Sequence, residues 1–323
     1  MESPSLLFEI DDLRKRYGRL VALDDVSLRI EVDDKRYDTA SVGLLGPNGA
    51  GKSTLIKTLL GLLPIDGGRA SVMGYDVAQQ ATRIRQAIGY MPEDDCYRPY
   101  LSAVHYVSLQ GQLCGMPRDE AFRRAHEVLF FVGLDEARYR DMGSFSTGMK
   151  QRAKLAQAIV HGPRLLFLDE PTNGLDPEGR EQMLSLIEDI RARGVHIVLS
   201  THLLTDVERI CRQVILLNQG QRVHVGPIDA LQQDDRTVIE LRTHGDPASL
   251  VSLLDQADFD VQRQGLNLSV TLGDHQNPSE IIALADDADI EIRHFMPRQL
   301  TLESAFVDLI DSASQSSAPS PES

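Results

Sequence analysis

Along the first 230 residues, short runs rich in Val, Ile and Leu alternate with stretches of helical period, a pattern that predicts an α/β core with a largely parallel sheet. Residues 6–10 and 26–30 read as strands, 41–45 as a short apolar strand, and 52–63 as an amphipathic helix opening directly after it. Residues 165–168, 196–200 and 214–217 are apolar segments of strand length and predict buried strands, each followed by a turn or helix. Between 92 and 144 the pattern becomes mostly helical, most clearly over 121–132, which predicts a helical subdomain inserted into the α/β domain of 1–230.

A second unit begins at residue 234. Strands at 237–243, 259–263, 266–272 and 290–295 and helices at 247–256, 278–286 and 302–310 follow the order βαββαβ, that of a split βαβ, ferredoxin-like sandwich. A small α+β domain is therefore expected over 234–310. The Ser- and Pro-rich stretch 311–323 has nothing apolar to bury and predicts a disordered tail.

At 323 residues, 42% hydrophobic and 25% charged, the chain can bury two such cores. Its 33 Lys and Arg against 48 Asp and Glu give a net charge of −15, which repels a phosphate backbone and lacks the basic footprint of a nucleic-acid binder. No segment approaches the roughly 18 to 20 consecutive apolar residues of a spanning helix, and the acidic start MESPSLLFEIDD is not a basic leader, so the chain alone is expected to be soluble and not exported. Cys96, Cys114 and Cys211 form no C-x-x-C pair; neither a disulfide framework nor a zinc site is predicted, and a reducing cytoplasm is the expected setting.

The candidate chemistry begins between the strand at 41–45 and the helix that follows. Gly46, Pro47, Asn48, Gly49, Ala50, Gly51, Lys52 and Ser53 satisfy G-x-x-x-x-G-K-[ST] in strand-to-helix context. Glycines let backbone N–H groups curl around a phosphate chain, and the helix N-terminus adds its positive end. Lys52 reaches terminal phosphates, Ser53 can ligate Mg²⁺, and Thr54 extends the set. A second site follows the apolar strand 165–168, which delivers Asp169 and Glu170 to the sheet edge where ligands of such folds bind. Asp169 would hold the Mg²⁺ shell, and Glu170, pointing to the opposite side, could orient and deprotonate an attacking water.

Phe145-Ser-Thr-Gly-Met-Lys-Gln-Arg152 resembles the signature segment of ATP-binding cassette (ABC) ATPases. Glu170-Pro-Thr-Asn-Gly-Leu-Asp176-Pro is similar to the Walker-B tail running into the D-loop, and Ser200-Thr-His202 to the strand ending in the switch histidine. Tyr17 stands where the adenine-stacking aromatic is found, although an ordinary exposed tyrosine is the other reading of that residue. The resemblance covers roughly residues 6–228. It implies a P-loop NTPase cassette that hydrolyses ATP with Mg²⁺, held by Ser53, Asp169 and Glu93, with Glu170, His202 and Lys52 as the catalytic set. It further implies two cassettes closing head to tail, so that Ser146 and Gly148 of one chain, with Asp176 nearby, meet the γ-phosphate held by Lys52 of the other. The second cassette could be an identical chain or a paralogue.

Three departures stand out. Glu93 occupies the Q-loop position where glutamine is usual, adding negative charge near the phosphates. Thr147 replaces the commonest signature glycine while Gly148 remains, and residues 31–39 lengthen the turn before the phosphate loop. A single cassette with a compact helical insert resembles the ATPase subunits of exporters, which work with a separate polytopic permease. That implies a place on the cytoplasmic face of the membrane and a docking surface around 96–113, with Tyr100 and Tyr106 as candidate contacts. The alternatives are a soluble mechanical or regulatory ATPase, and a chain whose C-terminal unit senses a ligand or dimerises.

Overall fold

The computed structural model describes residues 5–32, 39–95, 97–232, 238–244, 246–273, 276–288 and 290–297, with a few positions between 302 and 309. The predicted tail over 311–323, Cys96, most of the 31–39 turn and much of the predicted helix at 302–310 lie outside the described residues. Contacts divide the chain into two compact units after Ile228.

The first unit runs β1 (Ser5–Tyr17), β2 (Leu20–Val32), β3 (Ser41–Leu45), α1 (Lys52–Leu59), β4 (Gly67–Val72), β5 (Tyr75–Asp76), α2 (Ala81–Ala87) and β6 (Ile88–Met91). It continues through α3 (Ala103–Leu113), α4 (Arg118–Phe131), α5 (Thr147–Ile159), β7 (Leu165–Asp169), α6 (Pro177–Ala192), β8 (His196–Ser200), α7 (Leu204–Ile210), β9 (Gln213–Asn218) and β10 (Gln221–Pro227), with α8 (Ile228–Gln232) at the division. A six-stranded sheet has the order β10-β9-β3-β8-β7-β6. Its strands are parallel except for the edge strand β10. Every residue of β3 and β7 is buried, as strands covered on both faces must be.

The strands predicted at 6–10 and 26–30 belong instead to a second, antiparallel sheet of order β2-β1-β4-β5. The reason lies in their polarity: β2 largely alternates between exposed and buried positions, the mark of a strand with one solvated face. One core joins the two sheets around α1, where Phe8, Ile10 and Ile30 share a buried cluster with Ile56, Val42 and Phe167. Each fully buried side chain of this kind contributes roughly 1.5–3 kcal/mol. Helix α1 ends at Leu59 rather than at 63. Gly61, in the left-handed region, closes it, and a Cβ there would lie 2.5 Å from that of Ala81.

Within the helical insert, α3 and α4 approach closely at Gly111, where a Cβ would lie 3.2 Å from the Ala121 methyl. Tyr106 lies on the inner face of α3 at 3% exposure beside Val104 and Val107, which corrects its reading as a surface contact; Tyr100 is 90% exposed. Helix α5 is tied to β6 by Gln157 Nε2 donating to the Tyr90 carbonyl at 2.7 Å and by His161 Nε2 at 3.1 Å from the Ile88 carbonyl. His161 Nδ1 is buried and meets no hydrogen-bond partner among the described residues, and burial pulls the imidazole below its ordinary pKa. The unfolded chain therefore binds that proton more tightly, and stability is lost as pH falls through the unfolded value of roughly 6.5. His161→Gln, which can still donate to Ile88, is expected to flatten the fall of Tm between about pH 7 and 5; an unchanged slope in thermal melts would contradict this.

The second unit contains β11 (Val238–Thr243), α9 (Ala248–Gln256), β12 (Asp260–Gln264), β13 (Asn267–Thr271), α10 (Pro278–Asp287) and β14 (Ile292–Pro297). Its antiparallel sheet has the order β12-β13-β11-β14. Ile239, Leu241, Leu268 and Val270 face Leu250, Leu254 and Ile281 of the helices in a separate core.

Candidate functional site

The chain leaves β3 through Gly46, Gly49 and Gly51, with φ of 152°, 81° and 102°, and enters α1. A Cβ on Gly46 would lie 2.3 Å from the Leu217 carbonyl oxygen and one on Gly51 2.7 Å from that of Ala22, so both conformation and space require glycine. Lys52 folds back over the loop, its Nζ donating to the carbonyls of Gly46 at 2.6 Å and Pro47 at 3.2 Å. Burial draws the Lys52 ammonium below the usual lysine pKa, against the opposing charges of Glu170, Asp169 and Glu93.

A cavity of about 490 Å³ opens above this loop. Its walls include Tyr17, Asn48, Gly49, Ala50, Gly51, Lys52, Ser53, Thr54, Glu93, Asp169, Glu170 and His202, residues 17 to 202 in sequence brought to one place. Asp169 ends β7 and is 2% exposed. Glu170 then takes a left-handed backbone, φ 48°, with its N–H donating to the Ser200 carbonyl at 2.8 Å. Asp169 and Glu170 both line this cavity, and Asp169 alone of the two also lines the neighbouring one with Ser53, Lys57 and Glu93. Thr201 Oγ1 donates to Glu170 Oε2 at 3.3 Å, and His202 Nδ1 lies 3.0 and 3.1 Å from its two oxygens. The Glu93 carbonyl accepts from the buried Lys154 at 2.6 Å, so the loop carrying this carboxylate is tied to α5.

Ser146, Gly148 and Asp176 are not in that cavity. They line a second one, also about 490 Å³, with Arg152, Gly174 and Glu178. Ser146 caps α5, its Oγ accepting from Met149 N at 3.3 Å, and Asp176 caps α6, accepting from Gly179 N at 2.8 Å with Pro177 following. Gln151 Nε2 donates to the Asn173 carbonyl at 3.0 Å and links the two segments.

Sequence reasoning missed Leu20, Val21 and Ala22, which line the first cavity beside Tyr17. The sequence carries little signal for them, since single apolar residues are common on protein surfaces and the 66% exposure of Leu20 between β1 and β2 is a property of the fold. Asn173 also lines this cavity.

Residues 25–173 match the model of the ABC transporter family. The linearmycin resistance ATP-binding protein LnrL of Bacillus subtilis is 32% identical over 82% of this chain and 85% of its own. The chain belongs to the ABC transporter ATP-binding family. The Nod factor export ATP-binding protein I of Burkholderia lata is 33% identical over 76% of this cassette chain and 80% of its own. A solved structure of an ATP-binding subunit of an ABC transporter, 31% identical, superposes with a TM-score of 0.62 over 70% of this chain and 92% of that one. The cassette is thus an ATP-binding ATPase subunit of the transporter class, with the α/β fold of its family.

Proposed function

We propose that this subunit powers export of a substrate through a separate polytopic permease at the cytoplasmic face of the membrane, by closure of two cassettes, identical or related, around ATP. The observation that carries the reading is the separation of the phosphate-loop cavity from the cavity of Ser146, Gly148 and Asp176. Each chain holds two half-sites, and one triphosphate on Lys52 could complete a site with the signature half of a partner. The name of the Nod factor relative supports the direction of transport. No helix among the described residues is long and apolar enough to cross a membrane, and in this reading the permease supplies the path.

Lys52 and the loop N–H groups hold the β- and γ-phosphates. Glu170, fixed by Thr201 and His202, accepts the proton of the attacking water, while closure excludes bulk solvent. The donors fit Mg²⁺: Ser53, Glu93 and Asp169 offer hard oxygens in one cavity, and this ion is held by one or two carboxylates together with substrate phosphates. Bound there, it would neutralise charge on the transferred phosphoryl group. Tyr17, with Leu20 and Val21, would cover the adenine face. Tyr17→Ala is expected to weaken ATP binding by about fivefold or more, the loss of roughly 1 kcal/mol of base stacking, and to leave tripolyphosphate binding unchanged; equal losses for both ligands in competition titrations would remove Tyr17 from that role.

The permease is tested by affinity purification of the tagged chain from detergent-solubilised native membranes. A stoichiometric polytopic partner is expected, and Tyr100→Ala is expected to lower its recovery. Recovery of the chain free of any membrane protein would overturn the reading.

A further inference from the structure

We propose that Asp206 is a positioning residue for hydrolysis, a buried carboxylate that fixes Glu170 from behind and links it to the second cavity. Asp206 is 1% exposed in the first turn of α7, four residues after His202. Its Oδ2 accepts from Thr172 Oγ1 at 2.8 Å and its Oδ1 from Arg180 Nε at 2.7 Å. Thr172, 3% exposed, lies two residues after Glu170 in a turn closed by Asn173 N donating to the Glu170 carbonyl at 3.2 Å. Arg180, in the first turns of α6, donates its backbone N–H to the Asp176 carbonyl at 2.9 Å, and Asp176 lines the cavity of Ser146 and Gly148.

A continuous path of bonds therefore runs from Asp176 through Arg180, Asp206 and Thr172 to Glu170. The carboxylate is carried on a rigid element. Helix α7 lies so close to β3 that a Cβ on Gly43 would come within 2.5 Å of Val207 Cγ1. Burying a carboxylate is costly even when it is paired, and an apolar residue could pack α7 as well, so a paired ion at this junction is better suited to fixing geometry than to raising stability. Thr172 leaves Glu170's own turn for Asp206, and α7, which carries Asp206, begins two residues after His202, whose ring meets the Glu170 carboxyl. One carboxylate therefore ties the turn of Glu170 to the segment that contacts it, which sets the carboxyl relative to its water.

The inference rests on Glu170 as the proton acceptor, so Glu170→Gln is measured alongside. On the purified full chain, Asp206→Asn and Thr172→Val are each expected to lower kcat about tenfold or more with ATP affinity within about twofold of the parent, and Thr172→Ser is expected to retain parental turnover. Asp206→Asn combined with Thr172→Val is expected to be no slower than the slower single variant, because both act on hydrolysis through the same Thr172–Asp206 bond. Adding His202→Ala to Asp206→Asn is expected to cost less than it does alone. Parental kcat in Asp206→Asn, or losses that multiply across the pair as in independent damage to packing, would overturn the inference. If Asp206→Asn fails to fold, the contrast between Thr172→Val and Thr172→Ser decides: equal turnover in the two overturns it. A slow Glu170→Gln with a parental Asp206→Asn defeats this inference alone, whereas a parental Glu170→Gln defeats the reading of Glu170 and this inference with it.

Discussion

Glu170→Gln is expected to slow ATP hydrolysis by a factor on the order of 10² or more while ATP stays bound, because a general base is lost. The amide has the size of the carboxyl and can still accept from Thr201 Oγ1, but it cannot take a proton from water. Three carboxylates, Glu93, Asp169 and Glu170, line the cavity proposed to receive the phosphates. Removing one charge among them lowers repulsion toward a tetra-anionic nucleotide, so ATP affinity is expected to hold or to rise. Single-turnover hydrolysis and equilibrium binding on the same preparation separate the two quantities. Unchanged turnover would remove Glu170 from the role of base.

Lys52→Ala has the opposite signature. ATP affinity is expected to fall by on the order of 10²-fold or more, because charge-assisted hydrogen bonds to the phosphates are lost at a buried position. The Gly46 and Pro47 carbonyls also lose their donor, and the three neighbouring carboxylates lose the cation that opposes them. Turnover at saturating nucleotide then reports little, since saturation is not reached. Binding within about threefold of the parent, in a titration with a fluorescent nucleotide, would contradict the geometry of the loop.

The phosphate loop was readable from sequence because its requirements are local. Gly46 and Gly51 stand where a Cβ would meet backbone, and Lys52 and Ser53 follow at a fixed offset. Asp169 and Glu170 were readable because a wholly buried strand ends in two acids, yet the left-handed backbone at Glu170 leaves no trace in residue type. The strands at 6–10 and 26–30 were legible, but their antiparallel pairing was not, because it depends on partners far along the chain and shows locally only in the solvated positions of β2. The burial of Tyr106 is not legible from its neighbours in sequence, because it depends on the packing of α3. Asp206 was invisible for a similar reason: an acid in the first turn of a helix is ordinary, and what makes this one unusual is Thr172 and Arg180, supplied from 34 and 26 residues away. Local chemistry reads well from one sequence; burial and partnership across the chain do not.

The split of the site into two cavities on one chain is the centre of this account, and the mass of the Glu170→Gln chain in solution tests it most directly. With ATP the measured mass is expected to double, and with ADP or without nucleotide it is expected to return to that of a single chain, because in the proposed arrangement the intact triphosphate would span Lys52 of one copy and Ser146 and Gly148 of the other. A single-chain mass at saturating ATP, with nucleotide demonstrably bound, would contradict a site completed by a second copy.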